Sequence, residues 1–434
     1  MSLERAGVPT VAVHTDPFVR LARASALASG MPTARQAFVP HPVVGRTPPQ
    51  LRGYIEGSDP VAKRPFMQEV LEGLTRPLDD KDLKGVSFER STPRLVPPAT
   101  EEELQQLFIE NKWTDFLPVM LPTEERVAAM LRGTSRKPDE VVGRLAPTAF
   151  REAWEFTVEK VAVNAVMAGC RPEYLPVVLA LAASGQTARS SSTTSFATLA
   201  MVNGPIRNEI GMDSGIGVLG PFNHANATIG RAYNLLSQNL QGGSVPGETY
   251  MGSLGNWYNY SACFPEAEER SPWPPFHVQK GFKAEESVAS VFFGGRYTLA
   301  GFGPRETWQE EFRRVFAACE QHLAPLLVLD PLAARGFVEL GFDTKEKLAE
   351  WLSDNGRLSA REYWDNQWVQ TLFRSLAVAG VEPYAAKYKA KPDELIRVYE
   401  PGQISIAVAG GETQGAWRMF GGRYVKSVSI DAWR

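Results

Sequence analysis

The chain has 434 residues, a length that suits about two or three domains or one elaborated domain, and its 44% hydrophobic and 22% charged residues are ordinary for a globular protein. Its net charge of −3 argues against a nucleic-acid-binding protein, which needs a basic excess, and no apolar run approaches the roughly 18 residues of a membrane span. Three widely spaced cysteines (Cys170, Cys263 and Cys319) indicate neither a disulfide framework nor a zinc cluster, and the N-terminus is unlike a signal peptide, so we expect a reduced, cytoplasmic protein.

Residues 1–80 predict a strand–helix–strand unit, the building block of a parallel α/β sheet. A valine-rich strand at 8–13 leads into a helix over Phe18–Ser29, and a second strand over Gln36–Val39 ends at a Pro-His-Pro sequence. Ligands bind at the carboxyl ends of parallel strands, so His14, which follows the first strand, is a candidate binding residue.

A loop rich in Pro, Gly and Arg is predicted at 43–62, followed by a helix over Ala62–Leu74. Prolines and charged residues over 75–100 indicate a boundary, after which residues 81–434 predict a larger α/β domain. Its helices are predicted by capping residues and helical apolar spacing: from Thr100, from Thr123, Thr148–Ala168, Pro172–Ala183, a short one before Asn203, Asn226–Gln241, Thr307–His322, Pro331–Leu340, Thr344–Leu352 and Ala360–Ala379. Its strands are predicted by short apolar runs: Val86–Glu89, Phe116–Leu121, Ser287–Phe293, Leu326–Leu329, Gln403–Ala409 and Tyr424–Ile430.

The predicted fold class is therefore α/β, with mostly parallel sheet units flanked by helices. A long aromatic and proline-rich loop insertion is predicted at 244–286.

The segment Thr187–Arg231 is crowded with Ser, Thr, Asn, Gly and Arg and has almost no acidic residues. Backbone amides, hydroxyls and guanidiniums suit an oxygen-rich anion, so we predict a substrate-binding site there. The alternative is that these residues only cap helices and fill tight turns. The predicted binding residues, including two glycines after a buried strand and the histidine named above, are Arg189, Ser190, Ser191, Asn203, Asn223, Asn226, Arg231, Gly410, Gly411 and His14.

Four residues are candidates for catalysis. His224 lies near a predicted helix start, which lowers the pKa of a histidine and keeps it neutral, as a general base requires. Cys170 precedes another helix beside Arg171, a setting that lowers the pKa of a thiol and favours a nucleophile. Glu248 and Tyr250 follow a Gly-Gly break and would serve as acid and hydrogen-bond donor. Their structural alternatives are a structural histidine, a buried inert thiol and a solvated loop.

The segment Arg5–Gly45 resembles the second half of the bacterial UGSC family domain, which is named for a selenocysteine- or cysteine-Gly-Ser-Cys motif near its start. The resemblance rests on a strand at Val11–Val13, on Thr15-Asp16-Pro17-Phe18 and on Pro40-His41-Pro42. Residues 153–183 are similar to a stretch in large uncharacterised relatives. The defining motif is nowhere in this sequence, which starts where the motif would have ended. The resemblance implies that a separate small subunit supplies the motif or that this branch lost it.

Three functions are consistent with these observations. The first is an enzyme, a lyase or hydrolase rather than an oxidoreductase, that binds a small carboxylate or other oxyanion and catalyses elimination, addition or hydrolysis at a carbon–heteroatom bond. The second is the large subunit of a thiol or selenol redox enzyme whose motif lies on a small subunit. The third is a non-catalytic binding or scaffold subunit, with residues 250–276 as an oligomer arm.

The expected partners are a small anionic substrate, a small subunit that carries the missing motif, if this branch has not lost it, and a second copy of the chain, with no nucleic acid and no membrane. The cofactor is unknown, because the sequence has no nucleotide-cofactor motif. Five scattered histidines do not support a metal site, although mixed carboxylate ligation stays open.

Overall fold

The computed structural model describes residues 3, 8–19, 22–23, 26, 33–43, 45–77, 94–145, 154–189, 196–220, 222–241, 255, 263–304 and 306–434. None of the helices in these ranges has the length and apolar character needed to cross a membrane.

The strands, numbered β1 to β12 in chain order, are Val11–Thr15, Arg35–Val39, Val141–Leu145, Trp154–Thr157, Ala197–Asn203, Cys263–Pro265, Val288–Phe302, Pro325–Leu329, Arg357–Ser359, Leu395–Arg397, Ser405–Val408 and Ala416–Ser429. The helices, numbered α1 to α15, are Pro48–Glu56, Phe66–Thr75, Glu101–Glu110, Glu124–Leu131, Val158–Ala168, Leu175–Ala183, Ile206–Glu209, His224–Gln241, Phe276–Gln279, Trp308–Ala318, Pro331–Glu339, Lys345–Asn355, Ala360–Asp365, Gln367–Val378 and Tyr384–Lys389.

A curled sheet of six strands, in the order β11-β8-β12-β7-β5-β6, lies at the centre of the larger part of the chain. The pairs β5–β6 and β8–β11 are parallel, and the other three pairings are antiparallel. The curl brings the two edge strands together, since the N–H of Ala267 after β6 donates to the carbonyl of Val408 in β11 at 2.7 Å. The predicted α/β class is confirmed, but the sheet is mixed and not mostly parallel.

Helices cover the sheet with apolar faces. Helix α6 has the sequence LPVVLALAA and is buried over nearly its whole length, as expected for a helix that is apolar on every side. It packs with α5 and α8 in one core cluster. Helices α10, α11 and α12 contribute to a second cluster, and the inner faces of the curled sheet form a third.

The N-terminal unit contains a separate two-stranded sheet. Strand β1 runs parallel to β2, as the sequence predicts, and α2 packs on β2 around Ala37, Val39 and Phe66. The predicted helix over Phe18–Ser29 lies largely outside the described residues. The predicted boundary near residue 80 and the strand Val86–Glu89 also fall there, so the domain division stays a prediction.

The most consequential wrong prediction concerns the residues before Asn203. They form the buried strand β5 and not a short helix. The strand pairs with a neighbour on each edge, and a short, mostly apolar run of this kind has no periodicity that distinguishes a strand from a helix. The predicted loop at 244–286 contains β6 and the short helix α9 among its described residues.

Other boundaries differ for local reasons. Helix α1 lies within the predicted loop at 43–62, because Thr47 and Gln50 form a capping box and prolines fit the first turn. Residues 116–121, all described, form no strand, since Phe116 has a φ of 65° and Pro118 lacks an N–H. Helix α5 begins after Thr157 and not at Thr148, and the predicted helix Ala360–Ala379 is divided at Asn366, whose side chain caps α14.

Candidate functional site

A cavity of about 390 Å³ lies at the carboxyl ends of the parallel strands β8 and β11. The residues that follow these strands form one wall, and the loop 213–220 from the predicted anion-binding segment forms the opposite wall. We call it the strand-end cavity. It is lined by Ile216, Gly217, Val218, Leu219, Gly220, Val328, Asp330, Ala409, Gly410, Gly411, Thr413, Ala416, Trp417 and Arg418.

Direct hydrogen bonds hold the two walls together. The N–H of Gly410 donates to the carbonyl of Ser214 at 2.8 Å. Arg270 donates from Nη1 to the carbonyl of Gly410 at 3.0 Å and from Nη2 to that of Ser214 at 2.8 Å. Val218 is buried among the inner residues of the curled sheet, which anchors the middle of the loop. These contacts hold the two walls of the cavity against each other.

Two predicted binding residues, Gly410 and Gly411, belong to this cavity. Gly410 has a φ of 121°, a conformation that side-chain-bearing residues rarely adopt. A Cβ at Gly411 would lie 2.2 Å from Cγ1 of Ile216 in the opposite wall. Gly410 therefore needs glycine because of its backbone conformation, and Gly411 needs it because the opposite wall is so close.

One carboxylate and one guanidinium line the cavity, and their contacts differ. Asp330 is buried, and its carboxylate accepts hydrogen bonds from the N–H groups of Ala333 at 2.8 Å and Ala416 at 2.6 Å, so both oxygens are occupied in capping α11 and joining it to β12. Arg418 is exposed at the rim, and no carboxylate pairs with it in the part of the chain that the structure describes. Its guanidinium is the group that would meet a carboxylate or phosphate.

His224 begins helix α8, two residues earlier than predicted. Asn223 caps this helix by accepting the N–H of Asn226 at 2.9 Å, and it also donates to the carbonyl of Gly211. The ring of His224 is exposed, with Nδ1 3.3 Å from the hydroxyl of Tyr174. His224 does not line the strand-end cavity.

Asn226 connects this helix start to the cavity wall. Its buried side-chain amide donates to the carbonyls of Asp213 at 2.9 Å and Val218 at 3.4 Å. Asn226 therefore supports the loop that forms the cavity and does not itself face a ligand there.

The predicted reactive setting of Cys170 is wrong. The thiol is buried, and burial raises its pKa to about 12, although a hydrogen bond with Thr228 and the charge of Arg231 act in the opposite direction. Proximity to a guanidinium does not compensate for the loss of water around the thiolate. Cys263 and Cys319 are also buried.

Two predicted anion-binding arginines have structural contacts. Arg231 donates to both carboxylate oxygens of Asp115, at 3.0 and 2.9 Å, and to the carbonyl of Pro118. Burial raises the pKa of Asp115, but the charge and hydrogen bonds of Arg231 outweigh burial and hold the pKa below its ordinary value. Arg189 donates from Nε to the side chain of Asn234 at 3.0 Å.

Asn203 faces acids instead of an anion. Its buried amide donates to Glu266 at 2.7 Å and to Glu268 at 2.9 Å, and the buried Lys345 ammonium lies 2.7 Å from Glu266. Because two carboxylates already contact this amide, an anionic ligand would be repelled there. These contacts do not favour an anion at Asn203, and its anion-binding role stays a prediction.

The remaining predicted site residues lie elsewhere. His14 is in β1 of the N-terminal sheet, half-buried, with a pKa lowered by that burial, and it is not in the lining of the strand-end cavity. Ser190, Ser191, Glu248 and Tyr250 lie outside the described residues. Among the described residues, no group of three or more His, Cys, Asp and Glu is placed to hold a metal ion.

Three residues important for the cavity were missed in the sequence. Asp330 carries a readable signal, because it follows a buried strand and precedes Pro331, the usual position of a helix cap. The sequence has no comparable signal for Arg270 and Arg418, since neither belongs to a recognisable pattern.

Residues 1–62 match the UGSC family, a match that covers the N-terminal strand pair and helix α1 but not the six-stranded sheet. No curated protein and no solved structure matches the chain.

Proposed function

We propose that this chain binds a small anionic molecule, a carboxylate or another oxyanion, in the strand-end cavity. The observation that carries the proposal is the exposed Arg418 beside the glycine-rich walls, where the one acidic lining residue, Asp330, has both oxygens occupied. A cavity at the carboxyl ends of parallel strands is a common position for small-molecule sites.

The test uses the purified full chain and isothermal titration with succinate, malate and inorganic phosphate. We expect one of these anions to bind, and Arg418→Gln to weaken that binding about tenfold or more, because a charge-assisted hydrogen bond is lost. Arg314→Gln is the matched control, since Arg314 is an exposed arginine of helix α10 outside the cavity lining. Unchanged affinity of Arg418→Gln, or no binding of any of the three anions, would refute the proposal.

We further propose that the chain catalyses elimination, addition or hydrolysis with His224 as general base. The support is the exposed imidazole beside Tyr174. Because His224 does not line the strand-end cavity, this reaction would take place at the start of helix α8 and not on the anion in the cavity. His224→Ala should abolish turnover without lowering thermal stability, because the side chain is exposed, and Cys170→Ser should leave turnover unchanged. Ligand binding without turnover would instead favour the non-catalytic binding subunit.

A second candidate function is the large subunit of a thiol or selenol redox enzyme. The observation that favours it is the N-terminal two-stranded parallel sheet, in which β1 pairs only with β2 among the described residues and Val13 is 51% exposed. Parallel sheets are usually covered on both faces, and two strands alone are marginally stable, so a partner chain would complete this unit.

This candidate is tested by co-expression with the product of an adjacent reading frame that carries a Cys-Gly-Ser-Cys or selenocysteine motif. A stoichiometric complex that Val13→Lys disrupts, and that Val141→Lys on β3 leaves intact, supports it, since both valines are about equally exposed (51% and 52%). Full activity of this chain purified alone would count against a required partner.

A further inference from the structure

A second cavity, of about 230 Å³, lies where β12 meets the helices α13 to α15 and the turn 401–403. We call it the aromatic cavity. It shares no lining residue with the strand-end cavity. Its lining residues are Gln321, His322, Ala324, Tyr363, Phe373, Tyr384, Val398, Tyr399, Gly402, Gln403, Arg423 and Tyr424.

The aromatic walls are held in fixed positions. Phe373 and Tyr384 are stacked, with ring centroids 4.4 Å apart and an interplanar angle of 14°. Tyr399 donates from its hydroxyl to the carbonyl of Glu320 at 2.6 Å, and Tyr363 is buried. His322 stacks on Trp368 with centroids 5.5 Å apart. A planar ring entering this cavity would meet rigid aromatic faces and edges, the contacts that aromatic ligands prefer.

The polar side of the cavity is positive. The guanidinium of Arg423 lies 5.8 Å from the centroid of the Phe293 ring. Burial raises the pKa of Tyr384, and the charge of Arg423 acts in the opposite direction, which places the guanidinium near that phenol. Within the described ranges no carboxylate pairs with Arg423. Glu400, whose charge also acts on Tyr384, is paired with the Lys387 ammonium at 2.9 Å. A ligand carboxylate at the edge of the cavity would therefore find an available cation.

The geometry points to a binding site for a small aromatic carboxylate, with its ring between the aromatic side chains and its carboxylate on Arg423. The volume suits one substituted ring, since a cavity of roughly 150 Å³ accommodates benzene. The planar guanidinium fork matches a carboxylate in two parallel hydrogen bonds. This site is independent of the anion site in the strand-end cavity.

The test is isothermal titration of the full chain with benzoate and with its neutral analogue benzamide. We expect benzoate to bind about tenfold or more tightly than benzamide, and Arg423→Gln to remove that difference. Arg314→Gln is the matched control and should leave benzoate affinity unchanged, since Arg314 is an exposed arginine of helix α10 that lines neither cavity. Quenching of tryptophan fluorescence gives a second readout, because Trp368 stacks directly on the cavity residue His322.

A filling variant separates this cavity from other sites on the protein. Gly402 is an exposed residue of the cavity wall, and a Cβ there meets no atom within 4 Å, so Gly402→Leu should add bulk at the cavity without disturbing the fold and weaken benzoate binding. No benzoate binding up to about 10 mM, or equal affinities for benzoate and benzamide, would overturn the proposal. Loss of benzoate binding in Arg418→Gln but not in Arg423→Gln would also overturn it and assign the ligand to the strand-end cavity.

Discussion

Nζ of Lys345 lies 2.7 Å from Oε1 of Glu266, and these side chains are only 2% and 0% exposed. The pair joins helix α12 to the end of β6, and Glu266 also accepts hydrogen bonds from Asn203 and from the N–H of Phe276. A buried ion pair contributes little relative to an apolar pair, but removal of one partner leaves an uncompensated charge.

Lys345→Met should therefore lower the free energy of unfolding by about 3–5 kcal/mol in urea denaturation. Lys347→Met is the control, because Lys347 pairs with Asp343 on the exposed surface and its loss should cost about 0–1 kcal/mol. If both substitutions lowered the free energy of unfolding by similar amounts, the buried pair would matter no more for stability than the exposed pair. The double substitution Glu266→Gln with Lys345→Met should recover part of the loss.

The same acidic cluster should make stability depend on pH. A hydrogen bond from Arg207 lowers the pKa of Glu269 to about 2, and although burial raises the pKa of Glu266, the Lys345 charge and hydrogen bonds lower it overall. A carboxyl whose pKa is lower in the folded state stabilises the fold fully above its ordinary pKa of 4.5 and loses that contribution as the pH falls toward 2.

We expect the urea midpoint to fall between about pH 5 and pH 2.5 and to change little between pH 6 and 8 from these groups. Glu269→Gln should flatten the acid side of this profile. Glu285→Gln is a suitable control, since no ion pair or hydrogen bond involves its side chain among the described contacts. An identical profile for Glu269→Gln and the wild type would show that Arg207 does not stabilise the charged form.

The helices were largely predictable because their signals are local. Thr100 and Glu103 form the capping box that their spacing indicates, and Thr123 caps the next helix. Strand β5 could not be distinguished from a helix, because Ala197–Asn203 is mostly apolar and buried throughout, and its pairing partners lie far away in sequence. The curl of the sheet depends on pairings between strands that are distant in sequence, so no local sequence pattern predicts it.

The candidate site was predictable only in part for a related reason. The sequence predicts that Gly410 and Gly411 follow a buried strand, and in the structure they lie just beyond the carboxyl end of β11, in the cavity lining. Whether an arginine is available to a ligand depends on distant partners: Arg231 is paired with Asp115, 116 residues earlier in the chain. The composition of the segment Thr187–Arg231 shows which polar groups are present but not which of them the fold has already used.

Thiol labelling tests the correction for Cys170. Burial raises its pKa to about 12, so the thiolate fraction at pH 7.5 is very small and iodoacetamide should react with it slowly in the native protein. We expect well under one equivalent of label, measured by intact mass, under conditions that label all three cysteines in guanidinium chloride. If the native protein rapidly incorporated one equivalent of label, and Cys170→Ser abolished that labelling, Cys170 would again be a candidate nucleophile.

Two arginine substitutions distinguish a structural guanidinium from a ligand-binding one. Arg231→Gln leaves the Asp115 carboxylate, 5% exposed, without its bidentate partner, so the free energy of unfolding should fall by about 3 kcal/mol. Arg418 is exposed and has no acidic partner among the described residues, so Arg418→Gln should leave stability within about 0.5 kcal/mol of the wild type. The effects on anion affinity should be the opposite of those on stability. Arg418→Gln should weaken the affinity for the bound anion about tenfold, while folded Arg231→Gln should bind it as the wild type does. A stable Arg231→Gln protein that has lost anion binding would return the site to the segment Thr187–Arg231 and refute its assignment to the strand-end cavity.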